Sequence, residues 1–86
     1  MKNLTAINKA NERAIDMMMG KAMCSFANLK QTLDGSWDDT NAQDVAIAAH
    51  RSEYEATVRI LEFFVAENIY EIQHIVVDNA VEQFGI

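Results

Sequence analysis

Hydrophobic positions recur along this chain at helical spacing in three stretches, and each stretch uses the spacing differently. In the first, Leu4, Ile15, Met18, Met19, Ala22, Phe26, Leu29 and Leu33 fall on one side of a helix drawn at ~100° per residue, with Lys9, Arg13, Asp16 and Gln31 opposite. This spacing predicts a long, single-faced amphipathic helix over residues 4–33. The cluster Asp34-Gly35-Ser36-Trp37-Asp38-Asp39 is the one strong breaker in the chain and predicts a loop over 34–39. Gly35 is suited to the left-handed conformation that closes many helices.

The second stretch opens on Thr40-Asn41-Ala42-Gln43, which has the form of a capping box, with Asp38, Asp39 and Asp44 adding negative charge where a helix dipole favours it. A helix over 41–67 follows. Its pattern has two apolar sides: Val45, Ala49, Ala56, Ile60 and Phe63 on one, and Ile47, Tyr54, Val58, Leu61 and Val65 roughly opposite. A helix that is apolar on two sides is expected to be covered on both.

The third stretch predicts a C-terminal helix over 69–84. Ile69, Ile72, Ile75, Val76 and Ala80 form a broad apolar arc that Val77, Val81 and Phe84 widen. Asn68 has the side chain of an N-cap with Glu71 three residues on. This places a break or kink near Glu67–Asn68, although a helix running on from the second stretch fits the same periodicity. The β-branched run Ile75-Val76-Val77 leaves a short strand as the minor alternative.

The expected fold is therefore all-α and a single domain over 1–86, as either a helical hairpin or a three-helix bundle. In the bundle, the first and third helices sandwich the two-faced middle one. In the hairpin, a second copy covers its outer side, and a homodimer is the expected state. The chain of 86 residues has one cysteine and no proline. A core this small favours either unusually good packing or oligomerisation.

Lone Cys24 excludes an internal disulfide and suits a reducing compartment. No signal-peptide pattern and no membrane-length apolar run is visible, so a cytoplasmic protein without membrane contact is expected. The net charge of −6 arises in residues 44–86, where Arg51 and Arg59 are the only bases; acids and bases balance before that. That charge opposes direct nucleic-acid binding and favours a partner with a basic surface.

Catalytic and cofactor patterns fail on inspection. Counted from Asp34, a calcium loop needs Gly at its sixth position and Glu at its twelfth, where Asp39 and Val45 stand. Cys24 lacks a base within sequence reach, and no phosphate-binding glycine loop or serine elbow occurs. No enzymatic activity and no cofactor are expected. Glu71-Ile72-Gln73-His74 matches the Glu-x-x-His spacing of di-iron helical bundles, which makes Glu71 and His74 the one weak metal candidate.

What remains is binding. Glu67, Glu71, Asp78 and Glu82 line the polar side of the third helix. Such a row can imitate a nucleic-acid backbone and occupy the basic cleft of another protein, as an inhibitor of anti-restriction or anti-CRISPR type would. Trp37 in its polar loop either anchors a partner or folds over the helix ends. Met17 belongs to a methionine-rich segment in which Met18 and Met19 fit the core face while Met17 and Met23 lie off it; flexible methionine suits adaptable interfaces. The expected function is a small acidic protein-binding or regulatory module.

Overall fold

The computed structural model describes residues 2–86: three α-helices, α1 Glu12–Asp34, α2 Thr40–Glu62 and α3 Ile69–Phe84, with a short 3₁₀ helix, Lys9–Asn11, leading into α1. The α1–α2 pairing is the most extensive, and α3 turns back to pack on α1 and, less extensively, on α2. The result is an all-α three-helix bundle. No helix among the described residues is long and apolar enough to cross a membrane.

One core joins all three helices. Ile15, Ala22 and Met23 from α1 meet Tyr54, Val58 and Leu61 from α2, then Ile72, Val76 and Ala80 from α3. Phe26 and Tyr54 stack at a tilt, with ring centroids 5.8 Å apart. Two threonines are buried among these side chains. The hydroxyls of Thr32 and Thr57 donate back to the carbonyls of Asn28 and Glu53, both at 2.8 Å, which satisfies them inside the helix. Met23 is buried, contrary to its expected place off the core face. The reason is that α3 lies on the flank of α1, so the buried arc of α1 is wider than one partner helix would make it. Leu33 was expected inside and is exposed.

The helix ends differ from expectation in instructive ways. Asp39, not Thr40, caps α2: its carboxylate accepts from the N–H groups of Asn41 (2.9 Å) and Ala42 (3.1 Å). Gln43 does not reach back to the cap as a capping box requires. Its Nε2 donates across the loop to the carbonyls of Thr32 (2.9 Å) and Gly35 (3.4 Å), tying the start of α2 to the end of α1. Gly35 is extended, at φ −73° and ψ 155°, so it does not form a left-handed cap. Space is tight there: a Cβ would sit 3.0 Å from both the Gln31 carbonyl oxygen and the Trp37 indole nitrogen, so a neighbour would have to shift by a few tenths of an ångström. The left-handed glycine is Gly85 (φ 67°), whose N–H closes α3 on the Val81 carbonyl. Asn68 caps α3 as expected, accepting from the Glu71 N–H at 3.0 Å.

The largest correction concerns the N-terminus. Helix α1 begins at Glu12, not near Leu4, and residues 2–7 are not helical. They form a strap. The Ile7 N–H donates to the Phe64 carbonyl (2.9 Å), and the Ala66 N–H donates to the Thr5 carbonyl (2.8 Å). Ala6 and Val65 thereby make an isolated antiparallel bridge. Leu4 and Ala6 pack on the core while Thr5 and Ile7 face out, the alternation of an extended chain. Farther along, buried Asn79 clamps the strap from both sides: its Oδ1 accepts from the Lys2 N–H (3.2 Å) and its Nδ2 donates to the Lys2 carbonyl (2.7 Å). Helices α2 and α3 are consequently separate, because residues 64–67 bond to the strap.

Leu61, fully buried at the centre, and Phe63, two residues on and exposed, make a direct comparison. Leu61→Ala is expected to cost about 2–5 kcal/mol in chemical denaturation. At low protein concentration, Phe63→Ala should stay within about 0.5 kcal/mol of wild type.

Candidate functional site

The two apolar sides of α2 meet different fates. Tyr54, Val58 and Leu61 are buried in the core, with Val65 just beyond the helix end. Val45, Ala49, Ala56, Ile60 and Phe63 are all exposed, with Val45 70%, Ile60 47% and Phe63 81% accessible. The expected sandwich is absent because α3 docks against α1 and the inner side of α2. One full-length side of α2 therefore has no cover among the described residues. Isolated apolar residues on a surface are ordinary, but a continuous run of this kind marks a contact surface.

The acidic row of α3 is less uniform than its sequence suggests. Glu67 lies before the helix, and its Oε1 accepts from the Thr5 N–H at 2.8 Å, so it works as a strap anchor. Partial burial pushes its pKa up. The hydrogen bonds from the Thr5 backbone and side chain and from its own N–H outweigh that and hold it below the ordinary carboxylate value. Glu71 is exposed in the first turn. Asp78 pairs with His74 across one turn (3.2 Å), and Glu82 is exposed nearer the C-terminal end. From Glu71 to Glu82 the row extends ~16 Å.

His74 thus has Asp78 rather than Glu71 within hydrogen-bond distance of its Nε2, and both are exposed. A shallow groove beside them, about 410 Å³, is lined by Lys2, Tyr70, Glu71, His74 and Ile75. Among the described residues, no three His, Cys, Asp or Glu side chains converge where a metal ion could be held. Cys24 is exposed on α1.

Trp37 is 41% exposed and lies across Gly35, near the last turn of α1, so it both covers the loop and shows an edge to solvent. Met17 is 72% exposed near the start of α1. The two stand near opposite ends of a helix, ~25 Å apart along its axis, and do not form one patch. The residues that the sequence pattern missed are Thr5 and Asn79. Asn79 interrupts the apolar arc one turn after Val76 and one position before Ala80; a polar residue in a core register was the signal.

No known protein family, curated protein or solved structure matches this chain.

The strap anchor has a pH signature. Because the folded pKa of Glu67 lies below its ordinary value of 4.5, its contribution is complete above that value and is lost as the pH falls through the folded one. Glu67→Gln keeps an acceptor oxygen but not the charge. Denaturation free energies measured from neutral to acid pH should therefore fall less steeply below pH 4.5 in the variant. Identical acid limbs in both proteins would contradict the assignment.

Proposed function

We propose that this chain is a small, non-enzymatic protein-binding or regulatory module that works through the outward side of α2. The observation that carries this reading is the continuous exposure of Val45, Ala49, Ala56, Ile60 and Phe63 on a helix whose opposite side is fully used by the core. A rigid helix presenting an apolar strip is a recurrent way of meeting another helix. Self-association belongs to the same reading, since a chain of 86 residues gains buried apolar area by it.

A second reading rests on the other long surface. Glu71 and Asp78 are exposed on α3, in the half of the chain that carries the net charge. They fit a partner with a basic cleft, and with it inhibition by nucleic-acid mimicry. The withdrawal of Glu67 into the strap makes this the weaker reading, because mimicry gains from every free carboxylate in the row.

The two readings separate with three baits: wild type, Ile60→Glu on α2, and Glu71→Lys with Asp78→Lys on α3. Each bait, checked for helicity by circular dichroism, is used for capture from the native cell over a series of salt concentrations. The α2 reading expects stoichiometric binding to be lost with Ile60→Glu and to be kept by the lysine variant. Mimicry expects loss with the lysine variant and a steep fall with salt. Equal capture by all three baits would defeat both.

A further inference from the structure

We infer that the occupant of the outer α2 surface is a second copy of this chain, paired antiparallel about a twofold axis at Ser52. The inference rests on the binding reading above and names its partner. Its first support is the profile of the strip. The middle is small, with Ala48, Ser52 and Ala56, and the bulk lies toward the ends at Val45, Ile60 and Phe63. All of these residues are exposed. Small central residues allow two helix axes to approach closely. A twofold axis at Ser52 sets Ala48 against the partner's Ala56 in the same layer, and the bulky ends overhang the centre on both sides.

The second support is charge. At ~100° per residue, Asp44, Arg51 and Glu55 lie along one edge of the strip and Arg59 lies just inside that edge, the side on which Glu55 and Arg59 approach Ile69, Tyr70 and Gln73. All four are exposed. Arg51 and Arg59 are the only bases after residue 43. Neither makes an ion pair with a described residue of its own chain. In an antiparallel twofold pair each edge meets its own copy with the order reversed. Asp44 precedes Ser52 by eight residues and Arg59 follows it by seven, so Asp44 arrives beside the partner's Arg59. Arg51 arrives near the partner's Glu55 by the same operation. The opposite edge is turned inward toward the chain's own α1, where Ser25 donates to Glu53 at the long distance of 3.5 Å. A chain with strong acidic excess has thus placed its two late bases, unpaired, at positions where reversal matches them with acids.

Size sets the strength. Overlap of α2 with its copy runs for ~34 Å at 1.5 Å per residue. One helix width over that length gives an interface at the low end of specific ones, below ~1,200 Å² in total. The dimer is therefore concentration-dependent.

Analytical ultracentrifugation of the purified chain from about 10 µM to about 1 mM, a window matched to weak association, tests this. The mass is expected to rise from 9.7 kDa toward twice that value. Arg59→Asp should weaken the dimer ~10-fold or more, and Asp44→Arg combined with Arg59→Asp should restore it to within ~3-fold. Register is tested independently of these charges. In a Cys24→Ser background, Ser52→Cys should cross-link between copies under mild oxidation, and Val45→Cys should not, because only a residue on the axis meets itself. A chain that stays at 9.7 kDa throughout overturns the inference. So does equal cross-linking at both positions, which marks a parallel pair. The capture experiment above also registers proteins other than this chain, so a monomeric result here leaves it to decide the wider reading separately.

Discussion

The Phe64 carbonyl, the Ala66 N–H and the Glu67 carboxylate bond to residues 5–7 rather than to a continuing helix, and the rest of the architecture follows from that exchange. Phe63 still closes α2 with a tight turn, its N–H donating to the Ile60 carbonyl. The Phe64 N–H still donates to the Leu61 carbonyl; from the Phe64 carbonyl on, the partners lie in the strap. Had α2 run on through Val65 and Ala66, as its periodicity allows, α3 would have extended away from α1 and its apolar arc would have had no surface to meet. The bridge between Ala6 and Val65 turns the chain, Asn68 restarts it, and α3 is delivered against α1. This placement buries Met23, clamps Lys2 through Asn79, and leaves the outer side of α2 bare.

Much of this was legible in the pattern of residues. Three helices, the 34–39 loop, the Asn68 cap and the dual character of α2 all follow from periodicity and capping chemistry. The strap did not, because Leu4 fits a helical wheel and Ala6 is compatible with either conformation. Alternation over residues 4–7 is too short to outweigh the 3.6-residue period that begins at Ile15. What decides the matter is pairing with a segment about sixty residues away, and local propensity carries no information about that. The Asp39 cap was displaced by one residue because two aspartates and a threonine in a row can all serve. Gly35 was read for its φ range when what distinguishes its place is the tight space beside Gln31 and Trp37.

The candidate surfaces were legible to differing degrees. The outer α2 residues were identified as apolar and in need of a cover, and the structure shows which side lacks one. The acidic row was identified as four equivalent carboxylates, yet Glu67 is bonded to Thr5 and Asp78 to His74. Equivalence on a wheel did not become equivalence in space, because the first residue of the row lies outside the helix. Metal binding by Glu71 and His74 met a similar obstacle. Their spacing is right for a shared face, but no third ligand converges on them among the described residues.

The Asn79 clamp has a consequence for how the chain acquires its fold. Its two hydrogen bonds join residues separated by 77 positions, nearly the whole chain length. The α1–α2 hairpin needs only a short loop to close, whereas the Lys2 end of the strap must wait for α3. Contacts of such sequence separation carry the largest closure entropy and slow folding. During synthesis the clamp cannot form until Asn79 has been added, and until then residues 5–7 and 64–67 lack the α3 support that holds the strap in place. The Lys2 end of the strap is thus among the last parts to reach its final place, and the carboxamide of Asn79 acts as the latch that holds it there.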